Sequence, residues 1–152
     1  MQYINTIDRV DEGCIFCTKP ARDTDKDDLI LYRSTHCFVI MNLYPYNNGH
    51  LMVVPYRHLA DISELSTEEH IDLWQTVCRA KDVLQAKFRP EGFNIGMNLG
   101  RIAGAGIDQH LHVHIVPRWN GDTNFMPVLG DVKIISQSLS DAWDCLHEGF
   151  NH

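Results

Sequence analysis

Three histidines stand at every second position of "DQHLHVHIVPRW", residues 108–119. In an extended strand alternate side chains face opposite sides. His110, His112 and His114 therefore share one face, and Leu111, Val113 and Ile115 the other. Placing three titratable rings on one face of a buried strand is costly unless they are used. Two uses fit. Rings at i and i+2 lie about 6.6 Å apart along a strand, near enough to tilt onto one metal ion. Alternatively, a central imidazole attacks phosphorus while neighbouring rings hold the phosphate charge and pass a proton to the leaving group. The preceding "GRIAGAG" carries three glycines, whose backbone N–H groups can cradle phosphate oxygens. The strand lacks the carboxylates of a hard-metal site, so phosphate chemistry is the favoured reading.

Cys14 and Cys17, in "CIFCTKP", form a second constellation. A C-x-x-C turn serves as a redox pair, as half of a zinc site, or as two incidental thiols. A redox pair normally opens a helix in a βαβ setting, whereas this one runs into the polar loop "ARDTDKDD". Zinc needs two further ligands, with His36, His50, His58 and His110 as candidates. Cys37, Cys78 and Cys145 sit in apolar or helical surroundings and read as buried thiols.

The elements that must hold these groups are legible from pattern. "LILYRS" and "HCFVIMNL" read as strands, and the turn "YPYNNGH" joins the second to "HLMVVPY" as an antiparallel hairpin. "STEEHIDLWQTVCRAKDVLQAKF" is the long helix, opened by a Ser66/Glu69 capping box and stopped by Pro90 and Gly92. Leu73, Val77, Ala80, Leu84 and Phe88 form its apolar stripe. "GFNIGMNLG" is a strand, "RIAGAGID" a loop, "QHLHVHIVPRW" the last core strand, and "SLSDAWDCLHEGF" a short C-terminal helix. The expected class is α+β, an antiparallel sheet with one long helix packed on it.

The 152 residues suit a single domain, 1–152, with a core of its own. Thirteen basic against twenty acidic residues give a net charge of −7, which argues against a nucleic-acid surface. No apolar run reaches the roughly 20 residues of a membrane span, and the N-terminus lacks a signal-peptide pattern. The expected location is cytoplasmic, with no nucleic-acid or membrane partner.

His110-Leu-His112-Val-His114-Ile-Val116 matches the histidine triad motif at every position, and the chain resembles that superfamily over about residues 14–128. "NGHLMVVPYRH", "AGAGIDQHLHVHIVPRW" and "NFMPV" are most similar to the branch of diadenosine tetraphosphate phosphorylases and fragile-histidine-triad hydrolases. The resemblance implies a HIT-like fold and a homodimer. It also implies that His112 is the nucleophile, forming a nucleotidyl-histidine intermediate, with His114 against the transferred phosphoryl group. Asn42 would hold the ribose, while Asn98, Gln109, Gly104 and Gly106 would surround phosphate. His50 would lie beside the triad in the nucleotide site. Zinc-bearing members use a Pro-x-x-His histidine and the first triad histidine, which gives Cys14, Cys17, His58 and His110 as a structural zinc site.

The implied substrate is a dinucleoside polyphosphate, cleaved by phosphate or by water. Two alternatives remain: a nucleoside phosphoramidate hydrolase, and a zinc- and nucleotide-binding regulatory module without turnover. Val113, between the last two histidines, weakens the case for phosphorolysis over hydrolysis.

Overall fold

A computed structural model describes residues 13–42, 49–103, 110–121 and 132–151. Among these residues five strands, β1 (Ile30–Arg33), β2 (Cys37–Met41), β3 (Leu51–Pro55), β4 (Gly92–Gly96) and β5 (Val113–Arg118), form one antiparallel sheet in the order β1-β2-β3-β5-β4. Among the described residues four α-helices accompany it: the single turns α1 (Ile15–Thr18) and α2 (Asp25–Asp28), and the longer α3 (Thr67–Phe88) and α4 (Val132–Phe150). The α+β expectation holds. The C-terminal helix is not short, because it begins at Val132 and spans 19 residues. Ser136, Ser138 and Ser140 resemble a helix start in sequence, yet they stand inside it.

Both faces of the sheet are covered, which explains why β2 reads as an unbroken apolar run. Cys37, Val39 and Met41 face the long helices, while Phe38 and Ile40 face the N-terminal segment. The larger core joins Leu51, Val53, Val113 and Ile115 to Leu73, Val77, Ala80 and Leu84 of α3 and to Trp143, Leu146 and Phe150 of α4. Each fully buried aliphatic or aromatic side chain contributes about 1.5–3 kcal/mol of transfer free energy. The smaller core packs Cys14, Phe16 and Cys17 against Ile30, Phe38, Ile40 and Val54. The histidine-bearing segment belongs to this second face.

α3 starts as its sequence predicts. Ser66 accepts from the Glu69 backbone N–H, and the Glu69 carboxylate accepts from Ser66 N–H at 2.8 Å. It ends with Arg89 in the left-handed region, directly before Pro90. The end of α3 closes on Gly49, whose φ is +83° and whose added Cβ would stand 2.9 Å from the Phe88 ring. Only glycine satisfies both conditions, and this residue places His50 at the mouth of β3.

The last strand is shorter than its alternation suggests. β5 begins at Val113, so His110 and His112 precede it. The ladder with β3 pairs Val53 with Val113, and the next step would bring Leu111 opposite Pro55. Pro55 has no N–H to offer, and its carbonyl accepts from His110 Nε2 at 2.7 Å instead. Leu111 N–H turns to the Leu59 carbonyl at 2.7 Å. A proline and a histidine side chain thus replace the ladder, and Leu111 still joins the helix-side core while both histidines are buried.

Candidate active site and metal cluster

Cys14, Cys17, His58 and His110 come from three separate parts of the chain and meet with one ligand atom each within 4.8 Å of one another. His110 Nδ1 lies 3.3 Å from Cys14 Sγ, 3.5 Å from Cys17 Sγ and 3.2 Å from His58 Nδ1, and Cys17 Sγ lies 3.3 Å from His58 Nδ1. All four residues are buried. For a tetrahedral ion with Zn–S and Zn–N bonds of about 2.3 and 2.05 Å, the N···N and S···N edges are roughly 3.3 and 3.6 Å. The observed separations match these edges to about 0.3 Å. Because His110 Nε2–H donates to Pro55, its Nδ1 carries the lone pair that faces the sulfurs. Burial, with His58 and His112 adding to it, pushes His110 down to about 4, so the ring is neutral at pH 7. The donor set and its spacing fit a closed Cys2His2 site.

The loop carrying His58 is held from outside. Arg57 makes a two-pronged pair with Glu69, Nε to Oε2 at 2.9 Å and Nη2 to Oε1 at 2.8 Å, and also donates to the Glu64 carbonyl. Glu69 is the same residue that caps α3, so one carboxylate ties the helix start to the ligand loop. Its acidity reflects this: chiefly through Arg57, the carboxyl is held down to about 2.

The second and third triad histidines form a separate group. His112 Nδ1–H donates to the His110 carbonyl at 2.9 Å, which leaves Nε2 unprotonated. Asn42 Nδ2–H donates to His50 Nδ1 at 2.8 Å, and His50 Nε2–H donates to His114 Nδ1 at 2.9 Å. That chain of donors leaves His114 Nε2 as the protonated nitrogen. The rings of His112 and His114 stand edge to face with centroids 4.8 Å apart. Burial lowers all three groups, to about 4 for His50 and His114. The pair therefore presents an imidazole lone pair beside an imidazole N–H donor, the two functions needed to attack phosphorus and to hold its oxygen.

Asn98 lies two residues beyond β4, whose last residue Gly96 pairs with His114, and it is exposed there. Gly104, Gly106 and Gln109 fall outside the described residues, as do the turn 43–48 and "NFMPV". His36 is not part of the metal cluster; its backbone N–H donates to Asp72. Of the three thiols expected to be buried, only Cys37 is, and Cys78 is exposed on α3. Sequence reasoning missed Phe16, which contacts the rings of both His110 and His112. Its only sequence signal is a large apolar residue inside the C-x-x-C.

Residues 23–121 match the HIT domain family. The chain belongs to the HIT family. An AP-4-A phosphorylase of Mycobacterium tuberculosis is 45% identical to this HIT chain over 118 residues, which are 78% of the chain and 60% of that protein. The chain thus spans less than two thirds of that relative. A HIT-like protein of Methanocaldococcus jannaschii is 33% identical over 125 residues, covering 79% of this chain and 89% of that one. Among solved structures, a zinc-bound histidine triad family protein from Mycobacterium smegmatis superposes with a TM-score of 0.65 at 26% identity, over 90% of this HIT chain and 96% of that chain. Among the described residues no helix is long and apolar enough to cross a membrane.

Proposed function

We propose that this HIT protein cleaves dinucleoside polyphosphates by transferring a nucleotidyl group through His112. The observation that carries the reading is the bond from His112 Nδ1–H to the His110 carbonyl, which fixes the tautomer with Nε2 free to attack. Nε2 forms a bond to the α-phosphorus as the bond to the bridging oxygen breaks, and the remaining nucleoside polyphosphate leaves. His114 Nε2–H holds a phosphoryl oxygen, and Asn42 and His50 keep that proton on the outer nitrogen. Asn98 serves the phosphate, and Asn42 serves the ribose. A second nucleophile then breaks the P–N bond and restores neutral His112.

The likeness to a named AP-4-A phosphorylase supports inorganic phosphate as that nucleophile. Zinc is the ion that the Cys14, Cys17, His58 and His110 cluster suits, and the zinc-bound relative supports it. A closed four-ligand site has no position for water, so the metal would hold the N-terminal segment and the triad strand together. The family also implies a homodimer. β4 ends the sheet, and Ile95 on it and Trp74 on α3 are 44% and 43% exposed, apolar surface that suits a second copy.

Product analysis tests the reaction. Diadenosine tetraphosphate with millimolar phosphate should give ADP plus ATP, and at a rate that rises with phosphate. AMP plus ATP at every phosphate concentration would make the enzyme a hydrolase while keeping the nucleotidyl-histidine route. No product at all would leave a binding module.

A further inference from the structure

We infer that Phe16 is a positioning residue that couples the metal cluster to the nucleophile, an inference that rests on His112 being that nucleophile. Phe16 lies between Cys14 and Cys17 and is 1% exposed. Its ring centroid is 5.6 Å from His110, edge-on at 75°, and 5.0 Å from His112, tilted at 59°. One aromatic ring thus touches a metal-cluster histidine and the attacking histidine together.

One hydrogen bond and two ring contacts restrain the His112 ring among the described residues. The His110 carbonyl holds Nδ1, the His114 ring meets it at 4.8 Å, and Phe16 meets it at 5.0 Å. The carbonyl fixes which nitrogen is protonated, yet a single hydrogen bond leaves the ring free to rock about it. The two ring neighbours limit that rocking. His114 has its own hydrogen bond to His50, so Phe16 is the restraint that the metal loop contributes.

Phe16 is in turn fixed by its neighbours. Cys14 accepts the backbone N–H groups of Cys17 and Thr18, closing the one-turn α1, and the two thiols converge with His110 and His58. A metal ion held by those four ligands would lock the turn, and with it the wall against which His112 rests. The smaller core supplies the remaining packing, from Phe38, Ile40 and Val54. Removing the ring leaves a gap at His112, and an attacking atom misplaced by about 1 Å costs on the order of 100-fold in rate.

Phe16→Leu removes the ring, and Phe16→Tyr keeps it. Steady-state kinetics on diadenosine tetraphosphate, zinc content, and long-range 1H–15N NMR of the His112 ring are measured for both and for wild type. Phe16→Leu should keep its zinc and a KM within about twofold, while kcat falls roughly 10- to 100-fold. Phe16→Tyr should recover most of the rate. The His112 nitrogens should show one sharp Nδ1–H tautomer in wild type and exchange broadening in Phe16→Leu. Removing zinc from wild type should broaden the same signals.

A normal kcat, or a raised KM with kcat unchanged, would overturn the inference and make Phe16 a packing or nucleotide contact. If Phe16→Leu does not fold, Phe16→Met takes its place with the same expected outcome. Broadened His112 signals in zinc-loaded wild type would overturn it without any variant. His112→Ala separates the two levels. Turnover by that variant defeats the nucleophile assignment, whereas an inactive His112→Ala beside a fully active Phe16→Leu defeats only the role of Phe16.

Discussion

His50 Nε2 stands 2.9 Å from His114 Nδ1, and the partner bond from Asn42 to His50 Nδ1 fixes which of the two carries the proton. The consequence lies one ring away. His114 keeps its outer nitrogen protonated, the donor that the proposed mechanism directs at a phosphoryl oxygen. His50→Ala should therefore lower kcat by about 10- to 100-fold with a smaller change in KM. Steady-state kinetics check this, and a variant with wild-type kcat would show that His114 needs no such orientation.

His112→Ala should retain the fold and nucleotide binding and lose at least about 1,000-fold in turnover. Calorimetry for binding and product chromatography for rate are the measurements. Substantial residual turnover would assign the nucleophile elsewhere.

The buried histidines set the response to acid. His50 and His114 bind protons at about 4 when folded and near 6.5 when unfolded, chiefly because burial disfavours their charged forms. Between those values the unfolded chain holds more protons, so their contribution to stability is complete above pH 6.5 and is lost as pH falls toward 4. Allowing for partial exposure of His114, the melting temperature should drop by about 5 °C from pH 7 to pH 5. His50→Gln should flatten part of that slope. Thermal melts across this pH window test it.

Metal analysis should find about one zinc per chain after purification without chelator. Cys14→Ser/Cys17→Ser should abolish it and lower the melting temperature by at least about 10 °C. Unchanged metal content and melting temperature would exclude the cluster as a zinc site.

Glu69→Gln removes the charge that pairs with Arg57 and that accepts from the Ser66 N–H at the start of α3. The expected loss at pH 7 is about 1–2 kcal/mol, read from denaturant melts, with faster zinc release to a chelator because the His58 loop loosens. The carboxyl is held down to about 2, so its contribution is full above pH 4.5 and disappears as pH falls through 2. An identical zinc-release rate would detach Arg57 and Glu69 from the metal loop.

The amino-acid pattern alone carries the types of the local elements and of the chemical groups, though not every boundary. The apolar stripe of α3 and its Ser66/Glu69 box depend on neighbours a few positions apart, and both stand where their pattern puts them. The HIT resemblance likewise rested on contiguous residues, and the family match at 23–121 bears it out. Alternation alone also extended the triad strand too far, because the end of the ladder depends on Pro55, 55 residues before His110.

The same limit explains what is left to the tertiary structure. Among the described residues, it brings Cys14, Cys17, His58 and His110 together from separations of up to 96 positions. It links Asn42 and His50 to His114, and it sets Phe16 against His112. Each tautomer follows from a hydrogen bond to a partner that is remote in the chain or set by the backbone path. Periodicity encodes which face a side chain takes, whereas a proton's position is fixed only when the folded chain brings its donor and acceptor into contact.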